Sequence, residues 1–499
     1  MAIAATQIRL VHWPLQLRLA AFARAAARHV PLMILIGLVI GIHVPTMESY
    51  FFGDDFLVLG DVRSRSFGDY MRDVVMLDDM TPNWRPLTMA VYYGEYHLFG
   101  LDAMPWRIVN LTFHAATMVV LYAFVLSVTK RLFVALAASA IFGVSAAAVH
   151  TVTYVTAFPH VFSQFLLLSS LLAMHAYVSD GERRPAWYWI SLVMFIAGFL
   201  ANEGGVVLGA TVVAYYAFHS LFKRRDLLDF TIKMFPFGVA ATVLVAGLSG
   251  CGCQGVDGGF YGVGVHIPQE TFVYMSRLAY PVGEIDLRPS AMEWIWGSIV
   301  LGFAIIFVLR GPNIARVAAI GMVIAVMPYT PGKIWTATRY TYMAMPFFAI
   351  LVAVSAGLAF HYAARLWKPG AYALGGLAIA AVAGLYSWQT IVQTDPFLEE
   401  TDRWELLVRD LQANYDEVPR GTTIYVVEEE GLWSNPFWQP TWMTSIGMAL
   451  YGPDVRIRAM PETHLEALKK TLPGGTELFV VVLDDDGHLV KMPQENVTR

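Results

Sequence analysis

The chain has 499 residues, of which 57% are hydrophobic and 15% charged, with a mean hydropathy of +0.52 and a formal net charge of −5. Apolar runs recur along most of it and approach the ~20 residues that a spanning helix needs, which excludes a soluble fold of amphipathic helices and alternating strands. The modest negative charge offers no basic surface for nucleic acid, and the two cysteines, Cys251 and Cys253, imply no disulfide framework.

Residues 1–29 carry Arg9, Arg18, Arg24 and Arg28 with no acid, and basic residues near helix ends stay on the cytoplasmic side. The apolar run 31–47 then reads as a first span over about residues 30–50 rather than as a signal peptide. Asp54 and Asp55 follow in Tyr50-Phe51-Phe52-Gly53-Asp54-Asp55-Phe56. Charge at the hydrocarbon edge is costly unless it has a task or a partner. Either the pair marks a solvated helix end, or one member is a catalytic base at the membrane surface. Residues 51–105 form a long outer loop, with an interfacial helix at 86–100 bearing Glu95 and His97.

Further spans are expected near 106–128, 132–149, 158–178, 186–201, 204–221, 232–249, 292–309, 313–330, 341–361 and 371–393. The total is about eleven. Basic groups such as Lys130-Arg131, Arg183-Arg184 and Lys223-Arg224-Arg225 fall at the inner ends, so the N-terminus lies inside and the C-terminus outside. Residues 250–291 form a second large outer loop, rich in glycine, holding Tyr261, Tyr274, Tyr280 and Arg277 as possible sugar or lipid contacts. The domain reading is a cytoplasmic segment 1–29, a transmembrane domain 30–394 and an outer domain 395–499. The outer domain reads as a small α/β unit: an amphipathic helix over Pro396–Tyr415, β-like runs at 422–427 and 477–483, and a helix at about 462–471. Asp484-Asp485-Asp486-Gly487 reads as a solvated turn rather than a calcium loop.

Several polar residues stand where apolar ones are expected. Arg339, at the entry to a late helix, is expensive there unless paired or bound to an anion, which makes it a phosphate candidate, with Lys333 a weaker one. Arg85 precedes Pro86 at the start of the interfacial helix, placed to pair with Asp55 or to bind phosphate. Asn110 and His114, four apart, share a helix face and serve either an interhelical hydrogen bond or a substrate. His150 and His160 flank a hairpin tip without a third metal ligand nearby. Glu203 sits at an outward turn, placed to orient substrate or pair with an arginine such as Arg339.

Taken together, Gly53-Asp54-Asp55-Phe56, Asn83-Trp84-Arg85-Pro86-Leu87-Thr88, Asn110 with His114, Ala201-Asn202-Glu203-Gly204 and Arg339-Tyr340-Thr341-Tyr342 resemble the motifs of the GT-C superfamily of membrane glycosyltransferases. The resemblance is to its protein O-mannosyltransferase-like members, and the two large outer loops match that family's layout. Arg107 stands where relatives often have His, and Asn202 where they have Lys. The resemblance implies a GT-C-like core and transfer of a sugar from a polyprenyl phosphate to a protein, glycan or lipid hydroxyl. Asp54 would be the base, with Asp55 second. Arg339, Arg85 and Lys333 would hold the donor phosphate, and Glu203, Asn110, His114, His160 and Arg107 the substrate. A lipid phosphate leaves readily as an anion, so one base with cationic stabilisation suffices where a glycosidase needs two carboxylates. No cofactor is firmly implied, and a divalent metal has no ligand set in the sequence. The competing classes are a lipid-linked glycan ligase or polymerase and a transporter.

Overall fold

The computed structural model describes residues 27, 29–76, 84–224, 226–250, 264–279, 291–331, 338–428, 440–471, 479–483 and 488–491. Lys333, Cys251, Cys253, Tyr261, Tyr280, Asn83 and the Asp484–Asp486 turn lie outside these residues.

Helix starts follow the sequence. Proline occupies the first turn of α1 (Val30–His43), of α4 (Pro86–Phe99) and of α9 (Pro185–Ala201), where its missing N–H has no partner to lose. The long helix α5 (Ala103–Thr129) opens on Asp102, whose side chain accepts from the Met104 N–H at 3.2 Å, and closes on Lys130 in the left-handed conformation. Two short helices, α2 (Asp55–Ser64) and α3 (Phe67–Met76), lie between α1 and α4. The first hairpin after α5 runs through α6 (Leu132–Gly143), α7 (Ala146–Thr153) and α8 (Phe158–Ser179).

Six helices among the described residues are long and apolar enough to cross a bilayer, or seven if α6 and α7, bent by 57° at their junction, form one span. Four of the expected spans are shorter. The first ends at His43, with a 3-10 turn to Thr46, so seven residues separate that turn from Asp54. The others are α9, α10 (Gly205–Ala217), which continues as a π-helical stretch to Arg224, and α14 (Asn313–Val326). The remaining long helices are α11 (Leu227–Gly250), α13 (Ala291–Arg310) and α15 (Met345–Leu366). Between α11 and α13 an unexpected helix, α12 (His266–Ala279), carries Tyr274 and Arg277 on a buried face.

The last span and the amphipathic helix predicted at 396–415 are one helix, α16 (Lys368–Asn414), with Pro396 inside it. The change of composition near residue 395 therefore marks where one helix changes surroundings, not where it stops. Beyond it, β1 (Thr423–Glu428) pairs in parallel with β2 (Arg456–Pro461) and with β3 (Phe479–Leu483), while β4 (Leu489–Lys491) runs antiparallel to β3. The β1–β2 crossover contains α17 (Pro440–Tyr451), and α18 (Glu462–Thr471) follows β2. Strand alternation sends Ile424, Val426, Ile457 and Val481 to one face, against Leu411, Met443 and Ile446. That same core takes in Phe51, Phe56, Leu59, Val62 and Trp106. The sheet unit thus shares an apolar core with the segment between α1 and α4 and the start of α5, and this core frames the site.

Candidate functional site

The loop from Ser49 to Asp54 is held by its carbonyl oxygens. Arg107, fully buried on α5, donates to Ser49 O and Tyr50 O, and to Thr153 O at 3.0 Å. A planar fork with several donors suits three backbone acceptors. Arg107, expected from the resemblance to contact substrate, here ties the acidic loop to the end of α7. Gly53 turns the chain at φ +54°, and a Cβ added there would lie 3.3 Å from the Tyr154 hydroxyl. Glycine meets both demands.

The two acids diverge from this turn. Asp55 has no exposed surface. Its Oδ1 accepts from the Thr156 N–H at 2.9 Å and its Oδ2 from the Phe52 N–H at 3.3 Å. Burial pushes its carboxyl up to about 7, against the opposing pull of the Arg107 guanidinium and those two N–H donors. A carboxyl near neutrality suits proton transfer, but one with both oxygens engaged and no surface cannot meet an acceptor. Asp54 is half-buried. Its N–H donates to the Tyr154 hydroxyl at 2.9 Å and its Oδ1 accepts from the Trp442 indole Nε1–H at 2.9 Å.

Arg339 lies in the 3-10 turn Thr338–Thr341 that precedes α15. Its guanidinium stands 5.1 Å from the centroid of the Tyr154 ring and 5.3 Å from that of Tyr340, and its charge is felt by Asp54. Among the described residues it makes no ion pair within 4.0 Å of a carboxylate. Arg85 is different. Its Nε and Nη2 each reach a Glu203 carboxylate oxygen at 2.6 Å, a bidentate pair. Burial disfavours the Glu203 carboxylate, yet the Arg85 charge and its hydrogen bonds outweigh burial and hold that carboxyl below its usual range. Arg85, placed by the sequence to pair with Asp55 or bind phosphate, and Glu203, placed to orient substrate or pair with an arginine, meet each other.

Between the two arginines lies a polar and aromatic bridge. Asn202 caps its own turn, with Oδ1 accepting from the Gly204 N–H at 2.8 Å, and presents Nδ2 to His160 Nδ1 at 3.2 Å. The Tyr329 hydroxyl lies 3.1 Å from the same nitrogen, and the Tyr329 ring stacks on Tyr340 at 4.6 Å. His160 thus joins the site. Asn110 reaches it indirectly, donating to Tyr154 O at 3.3 Å. His114 does not: fully buried, it sits between the Tyr342 hydroxyl at 2.8 Å and Gly143 O at 3.1 Å, an interhelical bridge. His150 lies near Phe397, at a ring distance of 6.2 Å. Among the described residues no group of three or more His, Cys, Asp or Glu side chains is disposed to hold a metal ion. Sequence reasoning missed Tyr154 and Trp442, because nothing local sets either apart from other interfacial aromatics.

The architecture and this cluster define a polytopic helical membrane protein. Its fold is similar to that of ArnT from Cupriavidus metallidurans bound to undecaprenyl phosphate, with a TM-score of 0.53 and 11% sequence identity over 92% of this chain and 94% of that one. It is similar also to the archaeal oligosaccharyltransferase AglB from Archaeoglobus fulgidus in complex with an inhibitory peptide and a dolichol-phosphate, with a TM-score of 0.53 and 11% identity. That match covers 87% of this chain and 65% of AglB, so the chain spans just under two thirds of the archaeal enzyme. The apo form of an Archaeoglobus fulgidus oligosaccharyltransferase gives a TM-score of 0.51 at 10% identity. No family model and no curated protein matches the sequence.

Proposed function

We propose that the chain is an inverting glycosyltransferase that moves a sugar from a polyprenyl phosphate to an acceptor hydroxyl at the outer membrane surface. The observation that carries this reading is that Asp54 and Arg339 both meet Tyr154, one at its hydroxyl and the other at its ring, close enough for the Asp54 charge to act on the guanidinium. The fold shared with ArnT, whose structure holds undecaprenyl phosphate, and with AglB, whose structure holds a dolichol-phosphate, agrees with it. In the reaction, the acceptor oxygen forms a bond to the anomeric carbon while the bond from that carbon to the phosphate oxygen breaks. The Asp54 carboxylate takes the hydroxyl proton. The departing lipid phosphate keeps the bonding electron pair, and its charge is met by Arg339. Arg85 already has the Glu203 carboxylate as its counter-charge, so its role toward the phosphate is secondary. His160 and Asn202, between the arginines, line the donor side.

The membrane placement that goes with this reading has the N-terminus in the cytoplasm, about eleven crossings when the short apolar helices are counted, and the sheet unit outside. A bacterial inner membrane fits these features. An O-mannosyltransferase-like chemistry with a protein, glycan or lipid acceptor is the finer form of the proposal. The test uses membranes from cells lacking the gene, supplied with the purified full chain and a panel of radiolabelled undecaprenyl-phosphate-linked hexoses and pentoses. Transfer of label to an envelope acceptor, lost in Asp54→Asn, is expected. Transfer undiminished by Asp54→Asn sinks the mechanism and favours a ligase using other groups. Solute uptake into vesicles with no glycosylated product favours a transporter.

A further inference from the structure

We propose that Trp442, contributed by the sheet unit nearly 400 residues along the chain from the acidic loop, is a positioning residue that fixes the Asp54 carboxylate for proton transfer. The inference rests on the glycosyltransferase reading and adds to it a role for the C-terminal unit. The indole Nε1–H donates to Asp54 Oδ1 at 2.9 Å, across 388 positions of sequence. A half-exposed aspartate otherwise rotates about two side-chain bonds. With one oxygen held by a donor, the second points one way, and among the described residues it accepts no hydrogen bond, so it is the oxygen left for an acceptor hydroxyl. An indole N–H has a single donor and no acceptor, so it cannot take the proton itself.

The tryptophan is itself held. Its ring meets Trp404, near the end of α16, edge to face at 5.9 Å, and Trp404 lies against Phe56 at 5.6 Å. Helix α17 is seated close on α2: a Cβ added to Gly60 would come within 2.8 Å of Ser445 O. On its other side, a Cβ at Gly447 would lie 2.9 Å from Val455 O, next to β2. Small residues on both faces let α17 lie between the loop helix and the sheet at backbone distance. The indole is therefore delivered by a rigid element, as a group that orients a base must be. Gly53 completes the fit, since a Cβ there would lie 3.7 Å from the Trp442 ring.

The test compares Trp442→Phe, which keeps the packed ring and removes only the donor, with Trp442→His, which keeps an N–H on a smaller ring. The assay is transfer from the radiolabelled undecaprenyl-phosphate sugar that the parent uses, measured at pH 8, where an introduced imidazole is neutral, with unfolding temperature measured alongside. The titratable or charged groups facing this carboxylate are Tyr154 and Arg339, with Asp55 next to it in the chain and His150 beyond Arg339, and all are unchanged in both variants. Loss of the indole donor should lower kcat about ten-fold with donor KM little changed. Trp442→His should recover part of that rate. A Trp442→Phe protein that unfolds at the parent temperature with unchanged kcat overturns the proposal. Failure of both variants to fold overturns it as well, because the indole is then a packing residue. Transfer that survives Asp54→Asn removes the underlying mechanism instead, whereas an inactive Asp54→Asn beside an unaffected Trp442→Phe removes this inference alone.

Discussion

Asp54 and Asp55 are adjacent in sequence and opposite in consequence, and replacing each by asparagine separates site from scaffold. At Asp55 the exchange puts an amide NH2 against one of two backbone N–H donors, since Thr156 N and Phe52 N occupy both carboxylate oxygens. A buried donor left without an acceptor costs about 1–3 kcal/mol. The Arg107 guanidinium keeps its three carbonyl partners, and the loss of its counter-charge is offset because the neutral amide escapes the burial penalty that outweighs that guanidinium's pull on Asp55. The net loss, about 1–3 kcal/mol, is that of the unsatisfied donor. At Asp54, asparagine still offers Oδ1 to the Trp442 indole on a half-exposed side chain, and the stability change should stay within about 0.5 kcal/mol. The assay is thermal unfolding in detergent at pH 8, above the about 7 to which burial raises Asp55, with transfer measured on the same preparations. Asp55→Asn should lower the unfolding temperature by several degrees. Asp54→Asn should hold it and lose about 10²-fold or more in transfer. An Asp55→Asn protein as stable as the parent, or an Asp54→Asn protein that transfers sugar normally, refutes the reasoning.

Other outcomes follow from the same geometry. Arg339→Lys should weaken binding of undecaprenyl phosphate to the purified chain about ten-fold, because a point charge replaces a planar fork set between two rings, and Arg339→Ala should weaken it further. Unchanged binding by titration would remove Arg339 from the donor site. A double-mutant cycle on Arg85→Ala and Glu203→Ala should give a coupling on the order of 1 kcal/mol, kept low by the partial exposure of both side chains, and additive effects would deny the pair any net worth. Gly53→Ala should cost about 1–2 kcal/mol for the left-handed backbone and reduce transfer as Tyr154 is displaced, which unfolding and activity assays on one sample would check. Glu95, on α4, is buried with Oε1 unpartnered among the described residues, and burial pushes its carboxyl up to about 8. The folded chain then keeps a proton that the unfolded chain has released between about pH 4.5 and about 8, so this group's contribution to stability falls as pH rises through that window. Glu95→Gln should flatten the dependence, and a profile unaltered by the substitution counts against it.

The amino-acid sequence by itself determined that the chain is a helical membrane protein, because bilayer crossing imposes a length and an apolar composition that can be read locally. It determined the starts of many helices, where proline and capping residues act within one turn. It also singled out Asp54, Asp55, Arg85, Glu203, His160 and Arg339, since charge or polarity near apolar spans is conspicuous. Which of these groups meet was decided only by tertiary structure. Arg85 took Glu203 from 118 residues away, Arg107 took backbone carbonyls, and His114 turned to a helix interface. Two acids one residue apart were divided by the side of a single turn on which each fell. Trp442 came to Asp54 because the sheet unit and the segment after α1 had a shared apolar core to bury. Pairing across hundreds of residues depends on which surfaces pack, and no local pattern in the chain encodes that choice.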